Sequence, residues 1–69
     1  MFSKLENKMR AQWALETLQR SIYVDDQGDE ITDEIIIDVM TDLLHLAKSL
    51  NLDPASILRM TEINFMEEN

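Results

Sequence analysis

The segment from Thr32 to Leu50 constrains the fold of this chain more than any other stretch. Ile36, Val39, Leu43, Leu46 and Leu50 recur at alternating three- and four-residue steps, and Ile37, Met40, Leu44 and Ala47 form a second row beside them. Side chains at those steps fall on neighbouring lines of one helical surface, so the pattern predicts a long helix whose apolar face is too broad for a single neighbour. Such a helix needs partners on two sides. The chain has only 69 residues with which to supply them, and a domain of that size buries only about 60% of its unfolded surface. Association with another polypeptide is the leading expectation.

Small domains commonly offset a thin core with disulfides, a metal or oligomerisation. The chain contains no cysteine, which removes disulfides and every thiolate zinc site. No apolar stretch approaches the roughly 20 residues of a membrane span, and Met1-Phe2-Ser3-Lys4 lacks the hydrophobic run of a secretory signal. These features predict a single soluble cytoplasmic domain spanning residues 1–69, with no membrane contact, no cofactor, and a homodimer as the route to stability.

The net charge of −8 is unevenly placed. Residues 1–24 carry Lys4, Lys8, Arg10 and Arg20 against Glu6 and Glu16, a net of +2, whereas residues 25–69 carry twelve carboxylates against Lys48 and Arg59, a net of −10. Phosphate backbones are bound by neutralising them with lysine and arginine, so so acidic a surface argues against nucleic acid as a partner. The ordinary role of such charge is solubility. A sharper role is docking on a basic protein surface as an imitation of nucleic acid.

Three helices are predicted, with no repeat and no domain boundary. Ser3-Lys4-Leu5-Glu6 has capping-box spacing, so a first helix starts there and runs to about Tyr23. By the 100° step, Phe2, Leu5, Met9 and Trp13 occupy one of its faces, and Ala11, Ala14, Leu15, Leu18 and Ile22 the other. One face can meet the central helix and the other is left over. Thr32 caps the central helix, with Asp33 and Glu34 favoured at its positive end. Asn51 tolerates the left-handed conformation that ends a helix, and Leu52 can fold back on the last apolar turn. Asp53 then caps a third helix with Pro54 at its first position. That helix offers Ile57, Leu58, Met60, Thr61 and Phe65 inward, and ends in Glu67-Glu68-Asn69. The fold class is all-α: a three-helix domain with a helical hairpin of helix-turn-helix-like spacing in its C-terminal half.

Aligning Gly28 with the turn glycine of a calcium loop places Asp25, Gln27 and Glu34 at ligand positions, but Tyr23 where the first carboxylate must stand. Asp25 to Glu30 is better read as a solvated turn. Small Ala47 and turn residue Asn51, with Leu46, Leu50, Leu52, Ile57 and Met60, fit a helix-turn-helix. Its recognition helix would present Asp53, Pro54, Ala55, Ser56 and Arg59, one cation beside an acid, which is poor equipment for reading DNA. Glu34, Asp38, Thr41, Asp42 and His45 share a stripe of the central helix. One histidine without a cysteine or phosphate loop makes neither a metal site nor a catalyst, and His45 is expected to be held by Asp42 and Thr41. Ser3, Ser21, Ser49 and Ser56 lack an activating histidine in any recognisable motif. No enzyme is predicted, and no catalytic, cofactor-binding or metal residue.

The candidate site is a protein interface. Leu5, Met9 and Trp13 on the first helix, and Ile37, Met40 and Leu44 on the central one, are the apolar side chains left over once each helix has used one face for packing. The first helix with Arg10-Ala11 and Leu15, the run Asp42-Leu43-Leu44-His45-Leu46, the Leu52-Asp53 turn and the aromatic-glutamate ending together resemble small uncharacterised proteins of phages and bacterial mobile elements. The resemblance spans most of the chain. Its departure is Asn51 in place of the usual turn glycine. It implies a helical accessory protein acting on a host or defence protein. The function expected is that of a small acidic, homodimeric adaptor or inhibitor of another protein, with a nucleic-acid mimic and a DNA-binding protein as the alternatives.

Overall fold

Thr32 is extended, with φ −97° and ψ 168°, and its Oγ1 accepts the Ile35 amide at 3.3 Å, so the chain enters a helix as a capped threonine should. In the computed structural model, residues 4–24 and 30–68 are described, Lys4 and Leu5 by their backbone alone. They form three helices, α1 (Lys4–Gln19), α2 (Asp33–Ser49) and α3 (Pro54–Glu68), and α2 packs on α3. No strand occurs among the described residues. Phe2, the Ser3 cap and the Asp25–Asp29 turn lie outside them.

The α2–α3 connection is closed by backbone chemistry that the sequence announces. Asn51 adopts φ 62°. The Leu52 amide donates to the Ala47 carbonyl at 2.9 Å and the Asn51 amide to the Lys48 carbonyl at 3.1 Å. Those two bonds are the Schellman pair, and they satisfy carbonyls that the end of a helix otherwise leaves open. Asp53 follows at once: its Oδ1 accepts the Ala55 amide at 3.1 Å, and Pro54 sits where no amide is needed. Ala47 is buried, and Pro54 and Ser56 are half-buried.

Two expectations are corrected. The first helix stops at Gln19, short of Tyr23. Beyond Gln19 the bonding tightens to three-residue steps, Arg20 N–H to Thr17 O and Ser21 N–H to Leu18 O. The Ser21 hydroxyl also donates to Leu18 O at 2.6 Å and accepts the Tyr23 amide at 3.2 Å, competing with the helical ladder. Ile22 consequently leaves the inner face of α1 and is 96% exposed. The second correction concerns α3. Ile57, Leu58, Met60, Thr61 and Phe65 are all exposed, and α3 has no buried residue. The small side chain of Ala47 allows close approach at the hairpin apex, and towards its other end α3 is met by Asn7 and Arg10 of α1 at Glu68.

The result is a thin body, with principal extents of 35 × 33 × 17 Å. Its helices enclose little interior, and Ala47 is the one buried residue among those described. Its radius of gyration is 13.5 Å, against about 11 Å for a compact domain of this length. Accessible surface tells the same story: 6129 Å², where a folded monomer of this mass exposes about 4,500 Å². Helical domains ordinarily bury their apolar stripes between packed layers, and this arrangement leaves most of them open.

Candidate interaction surface

On α2 the apolar residues cover an arc of about 200°, roughly twice the stripe a surface helix uses to meet one core. Ile35, Val39 and Leu44 are half-buried and Ala47 is buried, while Ile36, Ile37, Met40, Leu43, Leu46 and Leu50 remain exposed. The polar residues Glu34, Asp38, Thr41, Asp42 and His45 fill the remaining arc. All of them are exposed.

Ala11, Ala14, Leu15 and Leu18 of α1 face Ile31, Ile36, Val39 and Met40 across a groove of about 540 Å³. The first helix therefore directs its small-residue face at the central helix and leaves an open apolar trough between them. On the opposite face of α1 stand Met9 and Trp13, the latter 57% exposed. Nothing is described of the Leu5 side chain.

Polar links hold the ends of α1. The Arg10 guanidinium meets both carboxylate oxygens of Glu68, at 2.7 and 3.0 Å. Asn7 Nδ2 donates to the Glu68 backbone carbonyl, so α1 supplies a donor to a carbonyl that the last turn of α3 cannot satisfy itself, and a cation to the negative end of its dipole. A second cleft of about 580 Å³ lies beside this clamp, lined by Asn7, Arg10, Ala11, Thr61, Asn64, Phe65 and Glu68. At the other end, the Tyr23 hydroxyl donates to Asp42 Oδ2 at 2.8 Å. That bond, some desolvation, and the negative charges of Asp42 and Asp38 raise the Tyr23 pKa above its ordinary 10.0.

The stripe containing His45 is arranged otherwise than its spacing suggests. Asp42 accepts from Tyr23 and the Thr41 hydroxyl donates to the Ile37 carbonyl at 2.8 Å, so neither holds the imidazole. No group of three or more metal-ligating side chains comes together among the described residues. None of the described helices is long and apolar enough to cross a membrane.

Of the candidate interface residues, Met9, Trp13, Ile37 and Met40 are exposed and Leu44 is half-buried. They do not form one patch: Met40 lines the α1–α2 groove, whereas Met9 and Trp13 face away from it. The more open row of α2 lies outside these candidates: Leu43, Leu46 and Leu50 are 56%, 52% and 59% exposed. The signal for it was present in the three- and four-residue steps themselves. Comparison with protein families, curated proteins and solved structures finds no match to this chain.

Proposed function

We propose that this chain is a small acidic accessory protein that works by binding protein, as a homodimeric adaptor or inhibitor whose contacts are made by helix faces. One observation carries the reading: a single copy leaves its leucine, isoleucine and methionine rows in water, with about 1,600 Å² more surface than a closed monomer of its mass exposes. Standard interfaces remove about 800 Å² from each partner, so the surplus accommodates a second copy and a further partner. Exposed apolar patches of this extent mark interaction sites in soluble proteins.

Sedimentation velocity on the full chain across micromolar concentrations tests the proposal. The expected outcome is a reversible dimer whose melting temperature rises with concentration, because anything that binds only the folded state stabilises it by mass action. A monomer that melts cooperatively at one temperature over the whole range would overturn it. The acidic row Glu34 and Asp38, exposed on α2 opposite its leucines, supports a second reading, an acidic imitation of nucleic acid on a basic protein surface. Salt separates the two. Binding carried by carboxylates weakens steeply as ionic strength rises, and binding carried by leucines does not.

A further inference from the structure

Resting on the homodimer reading, we infer that two copies exchange their first helices, each α1 leaving its own hairpin to dock on the α2–α3 hairpin of the other. The contact to be traded is already visible within one copy. Arg10 meets both carboxylate oxygens of Glu68, Asn7 donates to the Glu68 carbonyl, and Ala11, Ala14, Leu15 and Leu18 face Ile31, Ile36, Val39 and Met40. Each of these contacts joins residues far apart in the chain, so a second copy can supply one side of every one of them unaltered. Leaving costs little. No described side chain of α1 is buried, and the Arg10 side chain is 39% exposed, so α1 belongs to the part of the molecule that opens most readily.

Charge selects this contact between copies. Residues 1–24 net +2 and residues 25–69 net −10, so two hairpins laid face to face set negative on negative, whereas α1 of one copy on the hairpin of the other joins opposite signs. Exchange makes that contact twice about a two-fold axis. The assembly therefore closes at two subunits.

The end of α1 supplies both the hinge and the gain. Residues 20–22 leave the helix because the Ser21 hydroxyl donates to the Leu18 carbonyl and accepts the Tyr23 amide, and Ile22 is 96% exposed. By the 100° step Ile22 belongs to the line of Ala11, Leu15 and Leu18. Straightening this turn into helix redirects α1 away from the hairpin that follows it and adds Ile22 to the apolar row that meets the partner's groove. A closed copy leaves that side chain in water. Tyr23, bonded to Asp42, keeps the chain beyond the hinge on its own α2.

Charge reversal at the Arg10–Glu68 clamp tests the exchange by mixing. Arg10→Glu and Glu68→Arg each set like charges together, in a closed copy and in an exchanged pair alike. Mixed, the two variants restore both clamps only if α1 of one chain lies on the hairpin of the other. With one variant heavy-isotope labelled, native mass spectrometry after equilibration should find more than about 90% of the dimer as the mixed pair, against about half for random pairing, because the mixed pair has two clamps where either variant alone has none. Amide protection in α1 should be lost in each variant and return on mixing. Ile22→Asp, a surface change in a closed copy, should raise the dimer dissociation constant at least about tenfold by placing an unpaired charge in the exchanged contact. A dimeric parent whose variants pair at random, or whose dissociation constant Ile22→Asp leaves unchanged, would overturn the exchange and leave the homodimer standing. A parent that is monomeric throughout would remove both.

Discussion

The α2–α3 hairpin and α1 are held to the molecule in different ways. The hairpin is closed by residues adjacent in sequence: Ala47, Lys48, Asn51, Leu52 and Asp53 exchange backbone and cap hydrogen bonds, and the one buried side chain among the described residues, Ala47, sits at its apex. The first helix is tied at its two ends by polar links, Arg10 and Asn7 to Glu68 and, through the segment that follows it, Tyr23 to Asp42, with an unfilled apolar groove between. Local turn chemistry positions a helix cheaply because little chain entropy is lost in closing a short loop. Long-range ion pairs position one weakly, since solvent screens them.

The contrast can be broken most severely at Ala47. Ala47→Leu should cost about 1–3 kcal/mol by forcing the closely approached helices apart. Ala14→Leu, the same change in the open groove, should stay within about 0.5 kcal/mol. Urea melts of the two at one protein concentration compare them directly, and equal losses would mean that the groove is as tightly packed as the apex. Next in size is Asn51→Val, where a β-branched residue must adopt φ 62°, a cost of about 1–2 kcal/mol. Asn51→Gly should be nearly neutral, and thermal denaturation distinguishes a conformational requirement from a side-chain contact.

On the α1 side the effects are smaller. Glu68→Gln should lose less than about 1 kcal/mol, with the loss shrinking as salt is added, because Arg10 is partly exposed. A loss undiminished at high salt would exclude a screened ion pair as its source. The smallest signal is the titration of Tyr23. A phenol that donates to a carboxylate keeps its proton longer in the folded than in the unfolded chain. Its contribution to stability is therefore complete below the ordinary pKa of 10.0 and lost as pH rises through the raised value. Tyr23 is the sole tyrosine, so tyrosinate absorbance reads it alone. The midpoint should lie above 10.0 in the parent and fall towards that value in Asp42→Ala; identical curves would remove the link.

Legibility in the sequence follows the same division. The limits of α2 and the start of α3 were readable from Thr32, Asn51, Asp53 and Pro54 because each of these residues acts on amides and carbonyls a few positions away. The end of α1 was not, because the hydroxyl of Ser21 diverts the ladder within a stretch whose apolar spacing still reads as helical. Contacts such as Arg10 to Glu68 join residues from the two ends of the chain and leave no periodic trace. Apolar spacing puts Ala11, Ala14, Leu15, Leu18 and Ile22 on one face of α1; the first four look at α2, and Ile22 does not. Such spacing does not say whether a neighbour arrives to cover a row, and the inward assignment of Ile57, Leu58 and Met60 failed for that reason. Met9 and Trp13 on α1 are exposed, and so are Leu43, Leu46 and Leu50, whose row is the more open of the two on α2.

A body whose Cα atoms span only 17 Å in its shortest direction, with one buried residue among those described, has no peptide group far from bulk water on both sides. In an isolated copy, protection of amides against deuterium can come only from the helical hydrogen bonds themselves, so exchange should follow helix fraying and opening, with little contribution from burial. Any surface that later settles on one side of the slab should be drawn by its protons, as the amides beneath it slow while those on the opposite side keep their pace.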